Sequence, residues 1–578
     1  MATDANPTSD TYVTGITKLF WMPTDSGGVP AVAVSKRASD YINSAYTILI
    51  MLIFMIGWSL ILAISTEYWP KRDSADHLGL LGDIRNSAEP TDAVRIMISH
   101  CKREILNMLG RKPKDSPVLE SKGVQTSPAY QSPDTISKDN NPSKEITEII
   151  QEEKNQIPGG PSPSNSSRGA RYLLWDFLFA CIAFAMAAGN IAAGIVVPPQ
   201  LLMGTVAPVA KDVIFYPDVQ RYARPDDNGA GAAKLDSLKA PSALRALGTV
   251  EDSNVTARKR VHINSQIKGD SASLDYDYNV TGVDMGLQSD PKLMLMVKGS
   301  CRTDYTWLMN STDDKVDTYR LFGKEIFNVT RPPPEADLPP MVTFQIDPDT
   351  RGGPNFSYAM MVNTAGLYSY TSGQDPWYIT DKTKANRSIA YQVRGDRPAL
   401  SCWETNKWRL NGKDTDVYDL NPNALPGLKL HKLWADTVFP YEFGSPRVVT
   451  VGRAAGPSAL KSASYSSAPY YILDAGASAM SNDLERLVLA SWISSSNVLR
   501  ETTKYKSGDM ANLAKGEEGS VEAAAARFVL ESSDVATLSV RILISVPAIL
   551  LFLFIVQGTL SWVLRHPKSE KMGEVLLP

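Results

Sequence analysis

The chain has 578 residues and a formal net charge of −3, from 59 basic and 62 acidic side chains. That balance removes the electrostatic case for a nucleic-acid partner. With 38 prolines and 38 glycines, the chain reads as loop-rich and not as a helical bundle.

Residues 1–43 lack an apolar core, so they do not read as a cleaved signal peptide. They are expected to form a short extracytoplasmic arm. The uncharged run Tyr46–Ile64 is long enough to cross a hydrocarbon core and would insert as its own signal, giving a transmembrane helix over 44–66. Residues 67–171 follow as a cytosolic loop. Within it, 92–109 place Val94, Met97, Ile98, Cys101, Ile105, Met108 and Leu109 on one face of an amphipathic helix. Such a helix suits an anionic membrane surface or a protein partner equally. From 111 to 170 the composition turns to Pro, Ser, Lys, Asp and Asn, which cannot bury enough apolar surface to offset chain entropy, so disorder is expected.

The second run, Trp175–Val197, ends at Pro198-Pro199 and gives a helix over 172–197. It carries two intramembrane polar residues, Asp176 near the interface and Asn190 deeper. Asn190 lies amid Ala185, Gly189 and Ala193, a small-residue face suited to close helix packing and to contact with other membrane proteins. The third run, Val540–Val563, gives a helix over 540–564. Arg565, Lys568 and Lys571 after it favour a cytosolic tail over 565–578.

Between the second and third runs, six N-x-Ser/Thr sequons occur at Asn254, Asn279, Asn310, Asn328, Asn355 and Asn386. A sequon is modified only in the lumen of the secretory pathway, so 198–539 reads as a glycosylated ectodomain. Cys301 and Cys402 are the two cysteines of that segment, and an oxidising lumen favours a bridge between them. The segment is mostly β by pattern. In 273–281, Leu274, Tyr276, Tyr278 and Val280 alternate with polar residues, and similar runs recur at 292–298, 341–347, 355–362 and 388–394. Asn411-Gly412 after Trp408 marks a tight hairpin. Helices are expected over about 481–499 and about 520–532, the second leading into the third span.

Both cysteines stand in aromatic company, as Ser-Cys301 followed by Tyr305 and Trp307, and as Ser-Cys402-Trp403-Glu404 followed by Trp408. Such rings form core or, in a sharper reading, a sugar-binding platform. At these residues the sequence resembles a group of fungal multi-pass membrane glycoproteins with large glycosylated loops. The resemblance covers the ectodomain and last span, and it implies no activity.

Catalytic motifs are scarce. There is no P-loop, HExxH or G-x-S-x-G, and the ectodomain has only His262 and His431, too few for a three-histidine zinc site. Three D-x-D pairs, Asp275/Asp277, Asp347/Asp349 and Asp414/Asp416, are weak candidates for a divalent metal. The sequence therefore reads as an integral membrane protein with three transmembrane helices and a large, mostly β (α+β) extracytoplasmic domain between spans 2 and 3. Its expected place is a membrane of the secretory pathway, foremost the plasma membrane. Its expected partners are the lipid bilayer, other membrane proteins and a carbohydrate or protein ligand, with no cofactor. The leading reading is a multi-pass membrane glycoprotein whose ectodomain binds a ligand, or shields or organises neighbouring membrane proteins. A membrane-tethered carbohydrate-active enzyme using ectodomain carboxylates and an accessory subunit of a transporter complex are the alternatives.

Overall fold

The computed structural model describes residues 8–68, 95–96, 98–99, 102, 166–219, 235–252, 255–312, 316–330, 339–383, 390–467, 471–505, 512–515 and 521–565. A hairpin of β1 (Leu19–Thr24) and β2 (Gly27–Ser35) runs without a break into α1 (Lys36–Tyr68). Next comes α2 (Ser166–Leu201), then β3 (Leu202–Gly204), α3 (Ala240–Glu251) and α4 (Val255–Arg260). A run of strands follows: β4 (Val261–Lys268), β5 (Ser271–Thr281), β6 (Met294–Asp304), β7 (Leu308–Thr312), β8 (Val316–Leu321), β9 (Glu325–Thr330), β10 (Val342–Ile346) and β11 (Asn355–Val362). Then come β12 (Ala399–Leu410), β13 (Lys413–Asp416), α5 (Phe439–Phe443), α6 (Arg447–Ala455), α7 (Met480–Ser496) and α8 (Val498–Glu501). Strand β14 (Val535–Ser539) passes directly into α9 (Val540–Arg565). The described parts of residues 1–45 and 198–545 make one compact unit, and those of 46–197 and 546–578 make the other.

The first unit is built on an antiparallel sheet in the order β10-β11-β12-β6-β5-β4, with β13 pairing β12. Alternation decides which side each residue faces. In β12, Cys402, Glu404, Asn406, Trp408 and Leu410 are buried, while Trp403 and Lys407 are exposed. Helices α6 and α7 cover the inner face and α3 packs on both of them, and Leu484, Leu487 and Val488 of α7 join Tyr276, Tyr278, Val297 and Trp408 in one core. Trp408 stacks on Phe439 at 5.2 Å. The small sheet β9-β8-β7 lies on the opposite side, where Tyr319, Leu321 and Val329 pack against Ala359, Met361 and Ala399. Asn411 and Gly412 both have positive φ, 50° and 82°, as the two-residue turn between β12 and β13 requires.

A second sheet has the order β1-β2-β14-β3. It joins the segment before α1 to the segments that follow α2 and precede α9. The N-terminal arm is thus part of the first unit's fold, with Ala31, Val32, Ala33 and Val34 buried.

Three helices are long and apolar enough to cross a membrane, over Lys36–Ile64, Cys181–Leu201 and Val540–Trp562. In the second unit, α1 and α2 meet at small residues. A side chain added at Gly57 would touch Met186, and one at Gly189 would touch Phe54. Gln557 Nε2 donates to Ser59 Oγ at 3.1 Å, tying α9 to α1.

Several boundaries differ from the sequence reading. Helix α2 begins at Ser166, inside the stretch expected to be disordered, and it runs through Pro198 and Pro199. In a last turn, two prolines cost only the bonds to the Gly194 and Ile195 carbonyls, so the helix can run through them to its end. No helix spans 520–532. Residues 523–526 form a turn, and Val529–Glu531 pair as a strand with Val206–Pro208. The alanines there are helix formers locally, but the Trp434 indole bonds the Ala525 carbonyl at 2.9 Å and the following residues are drawn into strand pairing. Strand β14, not a helix, leads into α9. Of the helix expected over 92–109, residues 95, 96, 98, 99 and 102 are helical, and the rest lie outside the described residues.

Candidate functional site

The site is built on one buried arginine. Arg447 opens α6 just after Pro446 and has no exposed surface. Its Nε donates to Ser495 Oγ at 3.0 Å and its Nη2 to Ser494 Oγ at 3.1 Å. Its Nη1 donates to the Glu442 carbonyl at 2.5 Å and lies 3.2 Å from the Glu442 carboxylate. The backbone N–H of Arg447 donates to Glu404, which projects inward from β12. Glu404 also accepts from the Tyr276 hydroxyl at 2.7 Å, and the Tyr276 and Tyr358 hydroxyls are 3.1 Å apart. Burial pushes the Glu404 carboxyl above its ordinary range, opposed by the Arg447 N–H and Tyr276. A charge so removed from water persists only with this many partners, so the hub holds α6 and α7 in a fixed relation to the sheet.

Two hub residues, Ser494 and Glu442, reach into a hollow along α3. Lys239, Ser242, Thr450, Glu501 and Tyr505 also line it. Lys239 Nζ donates to the Tyr441 carbonyl at 3.3 Å and sits 3.8 Å over the Tyr441 ring. Burial lowers the Lys239 pKa, and the nearby Glu442 carboxylate opposes that shift. The hollow itself is small, about 40 Å³. Two neighbouring hollows share lining residues with it: one of about 270 Å³ among Asp236, Lys239, Thr450 and Arg453, and one of about 210 Å³ among Ser242, Arg245, Asn497, Arg500, Glu501 and Lys504. All three are smaller than the roughly 300–1,000 Å³ of a drug-sized pocket. The groove suits a polar or charged group held by fixed donors and acceptors.

Residues 240–530 match the family model of a domain of unknown function, DUF8406. The chain belongs to this family. The match starts at the first residue of α3 and ends in the strand 529–531, so the DUF8406 domain contains the Arg447 hub and most of the groove. No curated protein and no solved structure matches the chain.

Within the DUF8406 domain, Cys301 and Cys402 lie directly opposite each other on β6 and β12 and are joined as a disulfide, with Cα atoms 4.1 Å apart. The bridge is buried beside Tyr358, whose hydroxyl is 3.7 Å from Cys301 Sγ. Four sequon residues, Asn279, Asn310, Asn328 and Asn355, are exposed on strands, while Asn254 and Asn386 lie outside the described residues. Of the flanking aromatics, Trp408 is core, Trp307 packs edge-on against Phe322, and Trp403 is exposed on the outer face of the sheet.

The D-x-D pairs are scattered. Asp275 and Asp277 share the exposed face of β5, where Asp277 stands between His262 and Lys298. Asp347 caps a short turn by accepting from the Asp349 N–H at 3.2 Å, and Asp349 pairs with Lys324. Asp414 forms a two-point pair with Arg409, and Asp416 accepts from the Tyr418 N–H at 3.1 Å. His431 sits 2.8 Å from Glu522 and apart from His262, which is exposed on β4. Among the described residues, no group of three or more His, Cys, Asp or Glu side chains is placed to hold a metal. Asn190 is half-buried in α2, and nothing is described of the Asp176 side chain.

The groove residues escaped the sequence reading. One signal was present: along β12, Glu404 and Asn406 occupy inward positions between Cys402 and Trp408, a polar interruption of a buried stripe. Arg447 carried no such mark, because its partners come from segments far apart in sequence.

Proposed function

We propose that this protein is a multi-pass membrane glycoprotein whose extracytoplasmic DUF8406 domain binds a polar ligand in the groove along α3. The observation that carries the reading is the Arg447 hub. It fixes Ser494 and Glu442 at the floor of a solvent-reaching hollow, and binding sites need such pre-set polar groups to limit the entropy lost on association. Two further features support the placement. The four described sequon asparagines are all exposed, as glycan attachment requires. The sheet β1-β2-β14-β3 also gathers the N-terminal arm onto the same domain. The plasma membrane is the proposed location. The likeness to fungal membrane glycoproteins belongs to this proposal and adds no reaction to it.

The test is a gel shift of the full-length protein with and without N-glycosidase, on cells before and after external protease. Several glycans lost to the glycosidase, with the ectodomain removed by protease, is the expected result. An unchanged mass in both arms would place 198–539 in the cytosol and end the glycoprotein reading.

A further inference from the structure

The outer face of the large sheet carries an exposed tryptophan beside a sequon. Along β12, alternation turns Cys402, Glu404 and Asn406 inward and leaves Trp403 outward, with 42% of its surface exposed. On the neighbouring strand β11, Phe356 and Tyr358 are buried inward, so Asn355 and Ser357 share the outer face with Trp403. The pairing register fixes which residues meet. Ser357 lies directly opposite Trp403, and Asn355 lies opposite Thr405, one diagonal step from the tryptophan. Diagonal neighbours on one sheet face are about 7–8 Å apart, still within reach of a large side chain. Asn355 and Ser357 are also the two defining residues of the sequon Asn355-Phe356-Ser357, so the indole stands against both.

The Asn355 amide is held on one side. Its Oδ1 accepts from Thr405 Oγ1 at 2.8 Å, while Nδ2, the atom that takes a glycan, has no partner among the described residues. A fixed amide narrows the directions a sugar can leave in, so less freedom is lost when that sugar settles on a neighbouring group. The other described sequons lack a ring in this position. Asn310, Thr318 and Asn328 form one polar row on the small sheet, and Asn279 faces Met296.

We infer that the first sugar of an Asn355-linked glycan packs on the outward face of Trp403, which makes this ring a seat for the chain's own glycan. One face of an N-acetylhexosamine presents C–H groups, which meet the electron-rich indole face while the hydroxyls stay in water. The contact removes apolar ring surface from water without ordering any other part of the chain. This inference rests on the glycoprotein reading above and gives one of its sites a role.

The experiment is hydroxyl-radical footprinting of the full-length, detergent-solubilised protein, with mass spectrometry of the glycopeptides to read occupancy at each sequon. Oxidation of Trp403 is expected to rise threefold or more in Asn355→Gln and to be unchanged in Asn328→Gln. It should stay low when an endoglycosidase trims the glycan to its first sugar. Tyr418, 44% exposed in the same unit, is the internal reference. If Asn355→Gln does not fold, Ser357→Ala removes the same sequon. An occupied Asn355 whose loss leaves Trp403 oxidation unchanged overturns the inference, as does an equal rise in Asn328→Gln or a loss of protection on trimming. A bare Asn355 beside other occupied sequons overturns it too and leaves the glycoprotein reading standing. Bare asparagines at every sequon would end both.

Discussion

Removing Asp317 should cost more than any surface ion pair in the molecule. Asp317 of β8 and Arg397, just before β12, are both almost completely buried, at 0% and 1% exposure. Arg397 Nε donates to Asp317 Oδ2 at 3.0 Å and Nη2 bonds the same oxygen, while Nη1 donates to Thr364 Oγ1 at 2.6 Å. Tyr319, next but one along β8, donates its hydroxyl to the Arg397 carbonyl at 3.0 Å. The cluster sits where the small sheet β9-β8-β7 packs on β11 and β12. Asp317→Ala strands a guanidinium in an apolar seam, a loss of about 3–5 kcal/mol. By contrast, Arg409→Ala breaks a pair exposed at 43% and 39%, worth at most about 1 kcal/mol after solvent screening. The double replacement Asp317→Leu/Arg397→Met removes both charges and should recover most of the loss. Denaturant unfolding of the purified variants supplies the three stabilities, and proteolysis between residues 308 and 330 reports undocking of the small sheet. An Asp317→Ala cost no larger than that of Arg409→Ala, or a double variant worse than the single one, would refute the reasoning.

Four further outcomes follow from the same geometry. The bridge between Cys301 and Cys402 spans a sequence separation of 101, so Cys301→Ser should forfeit about 4–5 kcal/mol on the chain-entropy estimate, read as retention of immature protein in cells. Normal processing of that variant would count against it. Burial raises the Asp483 carboxyl to about 6 despite hydrogen bonds from Tyr378 and Ser462. The native state then binds a proton that the unfolded state, near the ordinary ~3.9, does not. The melting midpoint should therefore rise as pH falls from 7 through 6 toward 4, with a smaller rise in Asp483→Asn; equal curves for the two would exclude Asp483 as the source. A Cβ at Gly299 would lie 2.3 Å from Tyr276 Cζ, so Gly299→Ala should push the ring off Glu404 and cost about 1–3 kcal/mol, measured by denaturant unfolding. On the proposed glycoprotein reading, Gln at Asn279, Asn310, Asn328 or Asn355 should each remove one step from a glycosidase shift, and no change from any of the four would count against that reading.

What the sequence revealed was what periodicity encodes. The alternation in 273–281 and the turn at Asn411-Gly412 depend on neighbours one or two residues apart, and both appear where expected. The long apolar helices were legible for the same reason. The alanine-rich 520–532 misled because its local preference lost to the Trp434 indole and to pairing with 206–208, both set by distant chain. The groove was illegible for a related reason. Arg447 draws its partners from Glu404, Glu442, Ser494 and Ser495, so its role exists only once a strand and two helices have met. The hairpin β1–β2 went unread too, because Pro30 and two glycines at its turn resemble a linker until β14 supplies the neighbouring strand.

That hairpin constrains how any membrane crossing is counted. Hydrogen bonds between strands cannot form across a bilayer, because the hydrocarbon core separates the partners by about 30 Å. Strand β2 precedes α1, β3 follows α2, and both pair with β14. The chain between β2 and β3 must therefore start and finish on one side, so α1 and α2 both cross or neither does. A single crossing by one of them would tear Ala31–Ser35 from Val535–Ser539 and expose Ala31, Val32 and Ala33 to water. Polar replacement in this sheet should act on topology as well as on stability. Ala33→Asp, at a position with 1% exposure, would bury an unpaired carboxylate in the strand leading to α1. The expected result is release of the arm, read as new protease cleavage between residues 19 and 35 of the solubilised protein while the domain over 198–539 stays intact. Protection of the arm in that variant, equal to wild type, would mean that the sheet does not hold it.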